Sequence, residues 1–254
     1  RMFPFVKGSH SFDVADSPEE AFEAARQFGR FTRMLAAFDV SQLRIPIPRF
    51  HDLDLRYQQF LQSLETGNQQ RIRQCQQLTE KLLCREDIVE KYQAICRSNE
   101  FKLRVTHHDT KISNVLFDAD NKGICVIDLD TVIPGYFISD VGDMLRTYLS
   151  PVSEEETDFS KIEVRDSFYS AIVAGYCAEM KDELTEVEKQ HFFYAGEFMI
   201  YMQALRFLTD YFNDDRYYGS SYEGHNRNRA ENQLFLLDCL MDKKSRLEEL
   251  AGNS

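Results

Sequence analysis

Tryptophan is absent from the 254 residues, and proline and glycine are sparse at 6 and 11. Without Trp the best aromatic face for a cation is missing, which counts against a cage around a quaternary ammonium, although 12 tyrosines remain. No stretch approaches the ~18 apolar residues of a membrane helix, so no membrane partner is expected. No secretory pattern opens the chain, and Arg1-Met2-Phe3-Pro4 has the look of sequence from inside a longer protein. The six cysteines (Cys75, Cys84, Cys96, Cys125, Cys177, Cys239) form no CxxC pair and no zinc spacing. Thiols in a reducing, cytoplasmic compartment are the expectation. Positive charge is in deficit, with 30 Lys and Arg against 42 Asp and Glu, a net charge of -12. That excludes a nucleic-acid partner and docking on an anionic membrane. Internal repeats, low-complexity linkers and a glycine-rich phosphate loop are all lacking.

What is present is ample apolar material, 43% of residues, arranged mostly at helical spacing. Phe3 to Val6 has the pattern of a strand end leading into a turn at Lys7-Gly8. Ser17-Pro18-Glu19-Glu20 is a helix start, with Ser17 as cap, Pro18 at the first helical position and Glu20 completing a capping box. That helix is expected to run to about Phe38. Alternate prolines keep Ile45-Pro46-Ile47-Pro48 extended. One helix is expected from Leu53 to before Gly67, and a single long one from about Gln69 to Arg97. Strand patterns follow at 103–107, 115–117 and 124–127, the last two joined by the turn-rich run 118–123. From Ser139 onward the chain is helical again, with a heavily aromatic segment from Glu186 to Asn213 and a last helix from about Asn226 to Leu250. The fold class is therefore α+β, mainly helical, with a small β-hairpin.

The chemistry concentrates in His107-His108-Asp109-Thr110-Lys111-Ile112-Ser113-Asn114 and in Ile127-Asp128-Leu129-Asp130. A polar loop lies between two strands, and the second of the hairpin strands ends in a carboxylate. Asp109 and Asn114 are thereby brought towards Asp128. Such a set suits phosphoryl transfer, in which catalysis is positioning plus charge stabilisation. One carboxylate orients the attacking hydroxyl, and a second carboxylate with an amide oxygen offers the hard donors that Mg2+ requires. H-x-D-x-x-x-x-N, an apolar strand and I-D together form the kinase-fold catalytic pattern. Asp128-Leu129-Asp130 on its own is also the D-x-D of nucleotide-sugar glycosyltransferases, but that reading leaves the upstream motif unexplained.

On these residues the chain resembles the aminoglycoside phosphotransferase and choline kinase superfamily, which carries H-G-D-x-x-x-x-N and a later I-D-x-D/E. The run THHDTKISNVLFD through VIDLDTVIPGYFISDVGDMLRTYLSPVSEEE is similar to bacterial N-acetylhexosamine 1-kinases. His108 departs from the pattern by standing where glycine is usual. The resemblance implies the C-terminal lobe of a protein-kinase-like fold with its N-lobe absent. Residues 1–8 would be the end of the N-lobe strand and the hinge, and 9–254 the C-lobe. It implies ATP and Mg2+ as cofactors, Asp109 as catalytic base, Asn114 and Asp128 as metal ligands, and His107 and Asp140 as supports of the catalytic loop. Phe5 and Lys7 would lie beside the nucleotide. Asp130, Arg206 and Tyr218 are candidate contacts to a small-molecule substrate, an amino sugar being favoured. Arg206 on a surface carboxylate and Tyr218 in a surface loop are the plainer alternatives. A kinase of the same fold for choline, homoserine or an aminoglycoside, and a binding module without turnover, remain as other readings.

Overall fold

In a computed structural model, which describes residues 4–252, eleven α-helices surround two small antiparallel sheets. Helix α1 (Pro18–Met34) starts where Ser17 Oγ accepts the N–H of Glu20 at 3.2 Å, with Pro18 at its head. Glu20 reaches back one residue further than a capping box requires, to the N–H of Asp16 at 2.9 Å. The helix stops at Met34, short of Phe38, and the chain turns at residues 35–37. Residues 4–6 form no strand; the first backbone pairing is His10 with Phe117, in both directions. A turn does stand at Lys7-Gly8, and Gly8 takes φ +78 there.

Helix α2 (Leu53–Thr66) is capped by Asp52, whose carboxylate accepts the N–H of Leu55. The expected single helix from 69 to 97 is three: α3 (Gln69–Gln74), α4 (Gln76–Leu83) and α5 (Glu86–Arg97). The breaks fall at Cys75 and at Cys84-Arg85, where no proline or glycine marks them. They turn Leu78, Leu82, Ile88, Val89 and Tyr92 inward in succession, which a straight rod could not do against a curved core.

Strand β1 (Arg104–Thr106) pairs with β4 (Ile133–Gly135), and β2 (Val115–Phe117) pairs with β3 (Gly123–Val126). Pro134 is tolerated because a two-stranded sheet has only edges. Asp118 closes the β2–β3 turn by accepting the N–H groups of Asp120 and Lys122, both at 2.9 Å. Beneath β1, the Arg104 guanidinium grips the Glu188 carboxylate at 2.7 and 2.8 Å, both side chains buried.

Helices α6 (Phe137–Tyr148), α7 (Asp166–Met180) and α8 (Glu186–Lys189) lead to α9 (Phe192–Phe212), the axis of the molecule. All but two of its 21 residues are buried, as in a helix enclosed by others. It packs on α2, α6 and α10 (His225–Asp242), while α1 lies along α7. The expected last helix divides at Lys243 into α10 and α11 (Lys244–Gly252). Among the described residues no helix is long and apolar enough to cross a membrane.

Candidate active site

The loop 107–114 leaves β1 and enters β2, and α6 holds it from below. Asp140, fully buried in the first turn of α6, accepts the backbone N–H of His107 at 3.0 Å and of His108 at 2.8 Å. One turn further, Asp143 accepts the N–H of Thr110 at 2.8 Å. Tyr148 donates its hydroxyl to the carbonyl of Thr110. One helix face thus pairs three backbone N–H groups and one carbonyl of the loop that would otherwise be buried unpaired. Burial pushes the Asp140 carboxyl up to about 6, against the two N–H donors, which pull it down. Burial likewise raises Asp143, with Arg146 opposing at 3.0 Å. Asp143 and Tyr148 escaped the sequence reading. Their signal was the spacing 140, 143, 148, which keeps all three on one side of a helix that starts just after a strand.

His107 ties the loop to the next strand. Its Nε2 lies 2.9 Å from the carbonyl of Ile127, and its Nδ1 accepts the N–H of Asp109 at 3.3 Å. A carbonyl only accepts, so the proton sits on Nε2 and the ring is neutral in this arrangement. Phe28 and Phe31 pack edge-on against it. His108 takes φ +66, a left-handed backbone that suits glycine. Its ring is buried between Thr106 Oγ1, 2.6 Å from Nε2, and His51, 3.2 Å from Nδ1. Burial lowers its pKa to about 3, so it too is neutral. The two imidazoles diverge, as neighbours at a strand end should.

Asp109 is partly exposed, and its Oδ2 accepts from the Asn114 amide at 2.8 Å; Lys111 Nζ stands 3.3 Å away. The same Asn114 amide nitrogen donates to the carbonyl of Asp109 at 2.8 Å, which leaves Asn114 Oδ1 as the atom to offer a cation. Ile127 donates its N–H to the carbonyl of Asn114 at 2.9 Å. Asp128, next in sequence, has φ +58 and an exposed side chain. A carboxylate held in left-handed backbone costs on the order of 1 kcal/mol, and such strain gathers at functional positions. Loop, hairpin and the backbone preceding Asp128 are therefore one hydrogen-bonded unit. Its donor set, one amide oxygen and one carboxylate, fits a hard cation that keeps its remaining positions for phosphate and water. Among the described residues no cluster of three His, Cys, Asp or Glu forms a closed metal cage.

The remaining candidates divide. Arg206 and Tyr218 line one cavity of about 470 Å³ between α2 and α9. Arg206 donates to Gln203 Oε1 at 3.1 Å and lies 5.4 Å from the Phe50 ring centroid and 5.5 Å from that of Tyr218. Among the described residues no carboxylate receives it, contrary to the plainer expectation. Asp210 folds the following loop by accepting the N–H groups of Tyr217 and Tyr218, at 2.8 and 2.9 Å. Asp130 lies elsewhere, on the wall of an apolar cavity with Phe31, Leu35 and Val132. Phe5 is 89% exposed and Lys7 is also at the surface. Arg206 is linked to the catalytic loop by a row of rings: it faces Phe50, which stacks on His51 at 4.5 Å, and His51 meets His108 edge-on at 5.0 Å.

A helical domain that clamps H-x-D-x-x-x-x-N over an I-D hairpin has the architecture of a kinase-like phosphotransferase. The sequence profile of the phosphotransferase enzyme family matches residues 1–187, and the chain belongs to that family. Its fold is similar to an aminoglycoside phosphotransferase from Alicyclobacillus acidocaldarius, with a TM-score of 0.63 and 13% identity over 96% of this chain and 70% of that one. It is also similar to a choline/ethanolamine kinase family protein from Mesorhizobium loti, at 0.54 and 15% over 98% and 73%. For choline kinase from Cryptosporidium parvum the values are 0.52 and 12%, over 96% and 74%. The protein is thus a phosphotransferase of the kind that acts on small molecules.

Proposed function

We propose that the protein transfers the γ-phosphoryl group of ATP to a hydroxyl of an N-acetylhexosamine, giving the sugar 1-phosphate. The observation that carries phosphoryl transfer is the coupling of Asp109, Asn114 and the backbone of Ile127-Asp128 into one rigid unit. Asp109 Oδ1 and Oδ2 are the oxygens that would orient the acceptor hydroxyl and take its proton. Lys111 Nζ stands 3.3 Å from Asp109 Oδ2. Asn114 Oδ1 and the Asp128 carboxylate would hold Mg2+, which when bound supplies positive charge to the phosphate oxygens. His107 and Asp140 hold the loop in register and touch neither reactant.

The same reading takes the described residues as the C-terminal lobe. The phosphate-covering loop and the lysine that pairs with the phosphates belong to a further lobe, with Phe5 and Lys7 at the junction beside adenine. The amino-sugar preference rests on the motif run from Thr106 to Glu156 and on a cavity that offers two arginines and two tyrosines against a single acidic residue, Asp210. ADP release by the full-length protein, measured with N-acetylglucosamine, N-acetylgalactosamine, glucose, choline, homoserine and an aminoglycoside, tests it. Turnover confined to the first two supports the reading, and turnover with choline or an aminoglycoside instead overturns the acceptor.

A further inference from the structure

Half-buried arginines in this structure are as a rule neutralised. Arg71 meets Asp215 at 2.6 Å, Arg104 meets Glu188, and Arg146 bridges Asp143 and Glu154. Arg165 is met instead by the carbonyls of Tyr148, Leu149 and Ser150, and the 470 Å³ cavity carries two more arginines without a carboxylate on one wall. Arg56 donates to Gln59 Oε1 at 3.0 Å and to the carbonyl of Phe50 at 3.0 Å, and Arg206 donates to Gln203 Oε1. Neither forms an ion pair among the described residues, in a chain of net charge -12. A partly desolvated guanidinium without a counter-ion is costly. The two also repel each other: burial first, and then Arg206, lowers the pKa of Arg56.

We infer that this cavity is the acceptor pocket, and that Arg56 and Arg206 make it select an uncharged, oxygen-rich acceptor and reject cationic ones; this rests on the phosphotransferase reading above. Around the guanidiniums the wall is hydroxyl and amide: Gln59, Gln62, Ser63, Thr66, Thr209 and Asn213. Such groups pair with sugar hydroxyls and an amide carbonyl, and guanidinium N–H groups donate to the same oxygens. Tyr217 and Tyr218 give ring faces on which a pyranose can lie. The one acidic residue on the wall, Asp210, spends both oxygens on backbone N–H groups and on Asn226. It therefore offers an incoming ammonium no well-placed partner. Choline, ethanolamine and aminoglycosides are cations at neutral pH and would meet two like charges. Arg56 carried no motif in the sequence; it lies in a polar helix whose exposed face looks like any other.

Calorimetric titration of the full-length protein tests the inference with three probes of one ring scaffold. These are N-acetylglucosamine, glucosamine kept as its ammonium form in mildly acidic buffer, and glucuronate. The expected result is that N-acetylglucosamine binds at least about tenfold tighter than either other probe. Arg56→Gln and Arg206→Gln should each weaken N-acetylglucosamine by about tenfold, the size of one lost charge-assisted hydrogen bond, and should narrow the gap to glucosamine. Arg206→Lys should keep the rejection of glucosamine while losing affinity for the neutral sugar. Arg56→Met and Arg206→Met, which keep the apolar stem, replace any glutamine variant that melts early. Equal binding of glucosamine, a preference for glucuronate, selectivity unchanged in both arginine variants, or binding of none of the probes overturns the inference. Turnover of N-acetylglucosamine that ignores both arginines would overturn it while leaving the proposed function standing.

Discussion

The ring of His108 fills the space that Gly135 leaves open by having no Cβ. A methyl group added at position 135 would lie 2.6 Å from His108 Cε1 and Nε2 and 2.4 Å from Thr106 Oγ1. His108 stands where related phosphotransferases were expected to carry glycine, so the glycine demand has moved across the β1–β4 pair to the facing strand. Gly135→Ala should destabilise the protein by about 1–3 kcal/mol, as overpacking does. In a His108→Gly background the same change should cost less, by about 1 kcal/mol, with the contact to Thr106 Oγ1 accounting for what remains. Urea unfolding of the two single variants and the double variant checks it; additive losses would contradict the packing described.

Asp140 holds two N–H groups of the catalytic loop with one carboxylate. Asp140→Asn keeps the shape but turns an NH2 group towards one of the two donors. The expected loss is about 2–4 kcal/mol from the buried, charge-assisted bonds, with a large fall in kcat and a small change in KM. An unchanged melting temperature and kcat would show that α6 does not brace the loop.

The same carboxyl sets a pH dependence. Burial raises it from 3.8 to about 6, so between those values the native state keeps a proton that the unfolded chain has lost. Its contribution to stability is therefore fully present below pH 3.8 and is lost as pH rises towards 6. Activity runs the other way, because the ionised form accepts both N–H bonds. A pH–rate profile should show kcat rising through about 6 in the wild type, and that limb should vanish in Asp140→Asn. A limb that persists in the variant belongs to another group.

Glu188 serves Arg104 and the N–H groups of Lys102 and Thr185 at once. Glu188→Gln leaves the buried guanidinium uncompensated under β1 and should cost about 3–5 kcal/mol. Replacing the pair by Met and Leu together should recover much of the loss. Denaturant midpoints of the single and double variants decide this.

The local parts of the structure were legible in the sequence, because they depend on neighbours in the chain. The α1 cap, the Asp118 turn and the H-x-D-x-x-x-x-N loop are all within a few residues of their determinants. The helix breaks at Cys75 and Lys243 were not, since no proline or glycine marks them and the core's curvature imposes them. Strand β4 was missed because Ile133-Pro134-Gly135 looks like a turn until an edge position makes Pro134 harmless. Asp143, Tyr148 and Arg56 were missed because their meaning lies in what they face. Arg206 and Tyr218, both candidates for one substrate from the sequence, do share a cavity, whereas Asp130, named with them, lines another.

Phosphorus NMR of the full-length protein with ATP, Mg2+ and N-acetylglucosamine tests the account most directly. A sugar 1-phosphate signal should grow as ATP declines. Asp109→Asn should slow that growth by about 10²–10⁴-fold while leaving the fold intact, the range expected for loss of a general base. A sugar phosphate formed at the same rate without the Asp109 carboxylate would contradict the account.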